Sequence, residues 1–124
     1  MRVTVAEPAA APLLQDQPWS PHKIQGWTPD FVPAVLDRSV AGRVVSVADA
    51  DAIAMARRLA AEEGILAGIS AGGTVAAALQ VAADANDGDV ILAMLPDTGE
   101  RYLSTPLFEG IVEGSDDDWL ATLD

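Results

Sequence analysis

VVSVADADAIAMARRLAAEEGILAGISAGGTVAAALQVAADANDGDVILAML, residues 44–95, decides the fold. Val44-Val45-Ser46-Val47 is a short, mostly β-branched run of the kind that forms a buried strand. Ser46 and Asp49 offer a capping pair. A helix follows to about Glu63, with Ile53, Ala56, Leu59 and Ala60 on one face and Arg57, Arg58 and Glu62 elsewhere. Gly64 is its C-terminal stop. Ile65-Leu66-Ala67 reads as a second short strand. Gly68-Ile69-Ser70-Ala71-Gly72-Gly73 then makes a tight turn into a second helix, roughly Thr74 to Asp84, whose Ala and Val content calls for close packing against a sheet. Asn86-Asp87-Gly88-Asp89 is a turn, and Val90 to Leu95 is a fully apolar strand that ends in the loop Pro96-Asp97-Thr98-Gly99-Glu100-Arg101. Strand, helix, strand, helix, strand with short connections is the pattern of an open, mostly parallel α/β sheet flanked by helices. Ligands in such sheets sit beyond the carboxyl ends of the strands. The loops at 68–73 and 96–101 occupy that position.

Working outward, residues 1–7 hold the β-branched run Val3-Thr4-Val5 and read as a first strand running into Glu7-Pro8. Residues 8–33 hold six of the eight prolines and little periodicity, which marks a long irregular connection, with a short helix expected between Asp30 and Leu36. A connection of that length in a compact protein is uncommon unless it is functional. The chain divides into the strand at 1–7, an irregular loop region at 8–43, strand–helix repeats at 44–108 and an acidic C-terminal tail at 109–124. Together these make a single, partial α/β domain of 124 residues.

Half of the residues are hydrophobic, which excludes a disordered composition. The net charge is −12, with 13 aspartates among 19 acids and Lys23 the single lysine. A field of that sign repels nucleic acid and anionic membrane surfaces, so neither is an expected partner. The acids are dispersed, and only Asp116-Asp117-Asp118 forms a run, which reads as a solvated terminus. Dispersed aspartate with scarce lysine suits a halophilic cytoplasm, where salt screens the self-repulsion. The absence of cysteine removes disulfides, thiolate nucleophiles and Cys-based metal sites, and His22 alone cannot build a zinc site, so no metal is expected. No run of about 18 apolar residues occurs, and Met1 to Val5 lacks a signal peptide's apolar core. These features point to a cytoplasmic product.

Three constellations could carry chemistry. The glycines of 68–73 allow a ligand to approach the backbone, the following helix offers unpaired N–H groups, and Ser70 supplies a hydroxyl. The same glycines would equally serve a tight strand-to-helix turn, since the stretch is neither a P-loop nor a GxGxxG fingerprint. Asp97-Thr98-Gly99 is the triplet of aspartic proteases, but those enzymes carry it in an all-β fold. His22-Lys23 is either an acid–base pair or anion clamp, or a solvated loop. The single histidine precedes nearly every candidate nucleophile, against a Ser/His/Asp hydrolase.

Pro21-His22-Lys23-Ile24-Gln25-Gly26, Phe31-Val32-Pro33-Ala34-Val35-Leu36-Asp37, Glu63-Gly64-Ile65-Leu66-Ala67-Gly68-Ile69-Ser70, and Leu95-Pro96 with Gly99-Glu100-Arg101-Tyr102-Leu103-Ser104-Thr105 resemble, in order and spacing, the C-terminal part of the cysteine synthase (O-acetylserine sulfhydrylase) family. The resemblance runs from about Val3 to Phe108. It implies a fold-type II pyridoxal 5'-phosphate (PLP) enzyme, homodimeric when complete, that eliminates acetate from O-acetylserine and adds sulfide to give cysteine. Ser70 matches the family serine whose hydroxyl meets the pyridine nitrogen; such a neutral partner leaves that nitrogen unprotonated and favours β-elimination. Pro96 and Asp97 match the strand end along the pyridine edge. Gln25 and Gly26 match the loop that closes on the substrate, which places residues 8–43 on the substrate side. That loop in the family also helps to receive the C-terminal peptide of serine acetyltransferase, a possible partner.

The departures set limits on this reading. The family's Schiff-base lysine, its phosphate loop and its substrate-carboxylate loop have no counterpart in these residues, and Lys23 matches a different lysine. No catalytic residue is therefore assigned. The chain is expected to be a C-terminal fragment of a cysteine synthase, inactive alone and in need of a complementary N-terminal chain. The other readings are a non-catalytic module that binds a partner such as serine acetyltransferase, or a truncated gene product. Trp27-Thr28-Pro29-Asp30 replaces the small-residue run usual after Gly26, which puts the acyl donor in question. Ala71 replaces a second serine.

Overall fold

The computed structural model describes residues 1–111 and 114–122. Two strands, β1 (Thr4–Pro8) and β2 (Arg43–Val47), pair in parallel with Thr4 opposite Arg43 and Pro8 opposite Val47. Residues 9–42 connect them, a proline-rich run that holds only 3-10 turns at Leu13–Gln15 and Arg38–Val40. The helix expected between Asp30 and Leu36 is absent; Asp37 instead caps the Arg38–Val40 turn by accepting from the Ser39 N–H at 2.9 Å. Prolines at 29 and 33 remove donors and disfavour helical backbone in the residues before them.

α1 spans Asp49–Glu63 and buries Ala52, Ala56 and Leu59 at helical spacing. Ile53 packs against the core from its flank. The expected Ser46–Asp49 capping pair does not form: Ala48 is the N-cap, and the Asp49 carboxylate accepts from the Lys23 N–H at 2.8 Å instead. Asp49 and Asp51 still complement the positive end of the helix. Gly64 ends α1 as expected, with φ +69, and the Ile65 N–H closes onto the Leu59 carbonyl at 2.9 Å.

α2 spans Ile69–Ala82, so it begins five residues before the expected Thr74 and takes in most of the glycine stretch that reads as a turn. The reason is packing. A Cβ on Gly72 would lie 2.1 Å from the Ala52 carbonyl oxygen and 2.8 Å from the Ala56 methyl. The glycines and alanines of this turn let α2 lie directly on α1, and Ile69 to Gly73 are all buried. Core side chains from β2 (Val45, Val47), both helices and the flanking segments (Ile24, Leu107) fill the space between the layers.

Two expected strands are not formed. Residues 65–67 contribute one antiparallel bridge, Ala67 to Thr98. Residues 90–95 pair with nothing among the described residues; Val90 and Leu92 are more than nine-tenths exposed. The sheet described is therefore two-stranded. Beyond it, 3-10 turns at Gly99–Tyr102 and Pro106–Phe108 precede a short helix, α3 (Asp116–Leu120). The Pro106–Phe108 turn is fastened to α1 by Arg57, whose guanidinium donates to the carbonyls of Pro106, Leu107 and Glu109 at 2.6–3.0 Å. Of the expected acidic tail, residues 112, 113, 123 and 124 lie outside the described residues, as do the side chains of Asp116 and Trp119. No helix among the described residues is long and apolar enough to cross a membrane.

Candidate functional site

Ser70 is the second residue of α2, behind the N-cap Gly68. It is 4% exposed, and its carbonyl accepts from the Thr74 hydroxyl at 3.0 Å. The hydroxyl thus sits within the first turn, where unpaired N–H groups hold the positive end of the helix dipole. A neutral donor there suits a neutral acceptor; the local field opposes a cationic one.

The second expected loop lies against the first. Gly68 N–H donates to the Asp97 carbonyl at 3.3 Å and Gly99 N–H to the Leu66 carbonyl at 3.1 Å, on either side of the Ala67–Thr98 bridge. Asp97 Oδ2 accepts from the Tyr102 hydroxyl at 2.5 Å, while its Oδ1 is buried with no hydrogen-bond partner among the described residues. That hydrogen bond, with burial and the carboxylate charge adding to it, raises the Tyr102 pKa from its ordinary value of 10.0. A Cβ on Gly68 would meet Asp97 Oδ1 at 2.2 Å and the Tyr102 ring at 2.6 Å, so only glycine allows this closure. Pro96 is exposed at the edge of the same loop.

The third element is the loop around Gln25 and Gly26, both exposed. Gly26 turns the chain with φ +83, and the Trp27 N–H donates to the Ile24 carbonyl at 3.2 Å. Ile24, fully buried, anchors the turn, and Lys23 ties it to the start of α1. Thr28 has φ +22, and its carbonyl accepts from the Trp19 indole N–H (3.2 Å) and from His22 Nε2 (3.1 Å). A carbonyl only accepts, so His22 carries its proton on Nε2. Its buried Nδ1 has no partner among the described residues.

Ser70, Asp97 and the Gln25–Gly26 loop are therefore gathered around the N-terminal ends of α1 and α2. The strands expected to deliver the two loops are not formed; the bridge at Ala67 and the α1–α2 contact deliver them. Sequence reading quoted Tyr102, which locks the second loop, only within a family motif, and took Trp27 as a replacement for small residues without foreseeing that its indole lies on Gly73. A glycine inside an Ala/Val helix was the available signal for the latter. Two cavities among the described residues lie elsewhere. One of about 290 Å³ sits between α1, Leu66 and Phe108, and one of about 180 Å³ lies between Val5, Leu36 and Val44. None of the expected site residues lines either.

Comparison with known proteins shows the family of the chain. Residues 1–97 match the family described as pyridoxal-phosphate dependent enzyme. The chain is 61% identical over 124 residues to O-ureido-L-serine synthase of Streptomyces lavendulae, covering all of this chain and 38% of that relative. It is 42% identical over 108 residues to cysteine synthase of Staphylococcus aureus, covering 87% of this chain and 35% of the relative. The crystal structure of O-ureido-L-serine synthase superposes with a TM-score of 0.91 at 61% identity, over 98% of this chain and 38% of that one. The chain thus spans well under half the length of the curated relatives it matches, and corresponds to their C-terminal part.

Proposed function

The chain belongs to the pyridoxal-phosphate dependent enzyme family, and from that premise we propose that it serves a β-replacement on an O-acylated L-serine, its part being the wall at the ring-nitrogen side of the cofactor and the loop that meets the substrate. The observation that carries this reading is Ser70, a residue 4% exposed that sets its hydroxyl in the first turn of α2. It fits the group: a neutral hydroxyl at a positive helix end can donate to an unprotonated ring nitrogen and does not stabilise a pyridinium. The chemistry the cofactor supplies when bound is electron withdrawal from the substrate α-carbon, which allows a β-substituent to leave.

Each residue then has a task. Ser70 would meet the ring nitrogen of a bound cofactor with a neutral hydroxyl, and Pro96 and Asp97 would line the ring edge, with Tyr102 fixing the Asp97 carboxylate. Gln25 and Gly26 close over the substrate and exclude water. Lys23 is exposed in that loop and matches a loop lysine of the family, not the one that anchors the cofactor. In this reading the anchoring amine belongs to polypeptide outside these 124 residues, in the same chain or another.

The nucleophile is the finer question. A relative named O-ureido-L-serine synthase is 61% identical to the chain, against 42% for one named cysteine synthase. We therefore take the product to be O-ureido-L-serine. The Cβ–O bond to the acyl group breaks, acetate leaves, and the hydroxyl oxygen of hydroxyurea forms the new Cβ–O bond as its proton passes to solvent. The second reading is cysteine formation, in which hydrosulfide forms a Cβ–S bond instead. Mass spectrometry of the holoenzyme given O-acetyl-L-serine with hydroxyurea, and separately with sulfide, tests both. Ser70→Ala is expected to weaken cofactor affinity about tenfold, as loss of one good hydrogen bond would. No product from either nucleophile, with unchanged cofactor affinity in Ser70→Ala, would overturn the reading.

A further inference from the structure

Gly73 has no backbone reason to be glycine. It lies inside α2 with ordinary helical dihedrals, where glycine costs about 1 kcal/mol relative to alanine. What it has is a neighbour: a Cβ there would lie 2.8 Å from Cη2 of Trp27 and 3.2–3.3 Å from Cζ2 and Cζ3. The benzo edge of the indole fills the place of the missing methyl. Gly73 follows Ser70 by three residues, so the two share one face of α2 and stand next to each other along it. Trp27 directly follows Gln25 and Gly26, packs on the core from one side and stays half-buried.

The indole is thus wedged between the substrate loop and the helix that carries Ser70, with part of its surface still free. Resting on the β-replacement reading above, we propose that Trp27 is the specificity-determining residue of this site and that Gly73 is the notch that seats it. The free surface of the indole favours a planar, amide-bearing nucleophile, which can stack on it, over a small round one such as hydrosulfide, which gains nothing from a flat aromatic wall. The notch also fixes how far the Gln25–Gly26 turn stands from α2, and so the width left for that nucleophile.

The test uses the holoenzyme and the variants Trp27→Ala, Trp27→Phe, Gly73→Ala and the double variant Trp27→Ala/Gly73→Ala. With O-acetyl-L-serine as common donor, the ratio of kcat/KM for hydroxyurea to that for sulfide is expected to fall about tenfold in Trp27→Ala. It should fall less in Trp27→Phe, which keeps a ring. Gly73→Ala should lower the same ratio by displacing the indole, and the double variant should be no worse than Trp27→Ala alone. Calorimetric binding of O-ureido-L-serine against L-cysteine, which needs no turnover, should show the same preference and the same loss. If Trp27→Ala does not fold, Gly73→Ala and Trp27→Phe carry the test. A ratio unchanged in the folded variants, or losses equal for both ligands, makes Trp27 a core residue only and overturns the inference. A wild-type holoenzyme that uses neither nucleophile instead sinks the β-replacement reading, and the inference with it.

Discussion

Two stretches of this chain have fates opposite to what their hydrophobicity suggests: 90–95 is the more apolar and 69–77 the more buried. Residues 69–77 are buried almost throughout, while residues 90–95, with the composition of a strand interior, lie open, Val90 and Leu92 almost fully so. The difference is geometric. α2 satisfies its own backbone and needs only a surface shaped to receive it, which α1 provides through Ala52 and Ala56. A strand satisfies its N–H and C=O groups only through neighbouring strands, and residues 90–95 have none among the described residues. Hydrophobicity decides what should be buried; the source of the hydrogen-bond partners decides whether it can be.

Substitutions in the two regions should separate accordingly. The largest effect is expected for Gly72→Ala, whose methyl would strike the Ala52 carbonyl at 2.1 Å and force α1 from α2. A loss of about 3 kcal/mol in denaturant unfolding is expected, and a variant as stable as the wild type would show the contact to be looser than drawn. Glu7→Ala comes next. This buried carboxylate in β1 accepts from the Leu14 N–H at 2.9 Å and from Gln15 Nε2 at 2.8 Å. Removing it strands the part-buried Leu14 N–H, while Gln15 Nε2 keeps Ser46 Oγ, at a cost of about 1 kcal/mol, measurable in the same titration.

Tyr102→Phe tests the second loop through pH. The folded state holds the phenolic proton more tightly than the unfolded state does, so above the ordinary value of 10.0 the unfolded chain carries fewer protons. The stabilisation is therefore complete below pH 10 and is lost as pH rises through the raised value. The wild type should lose stability on that alkaline limb, and Tyr102→Phe should flatten it. Identical slopes would remove the Asp97 hydrogen bond from the account. The smallest change in unfolding free energy is expected for Leu92→Lys, within about 0.5 kcal/mol. Its effect should fall on solubility instead, because a charge interrupts an exposed apolar stretch. A large drop in the unfolding midpoint would mean that residues 90–95 are packed after all.

The same contrast explains what could be read from the sequence. α1 was legible in its body and at its C-terminal end because a 3.6-residue period and a terminal glycine act locally, while the cap expected at its start did not form. β2 was legible because a β-branched run finds a partner in β1. Residues 65–67 and 90–95 carried equally good strand signals, but pairing is a property of neighbours and not of the run itself. The start of α2 was misplaced because glycine was read for its freedom to turn, whereas Gly72 is used for its lack of a side chain. Ser46 looked like half of a cap and serves instead as an acceptor for Gln15 Nε2 at 2.7 Å. At the site, Ser70, Pro96, Asp97, Gln25 and Gly26 came from resemblance and not from periodicity. The structure brings their loops together through contacts, such as Tyr102 to Asp97 and Trp27 to Gly73, that no local pattern announces.

The parallel pairing of β1 with β2 also sets an order of events during synthesis. Each residue of β1 pairs with one 39 positions later, as Thr4 does with Arg43. At translation rates of about 5–20 residues per second, β1 leaves the ribosome roughly 2–8 s before its partner. Closing so long a loop is entropically unfavourable until something holds the far end in place. The α1–α2 pair, whose contacts are much closer in sequence, forms without that delay and presents β2 on a finished support. β1 is thus expected to be added last, so that amide exchange should protect Thr4 to Pro8 later than the helices in refolding followed over time.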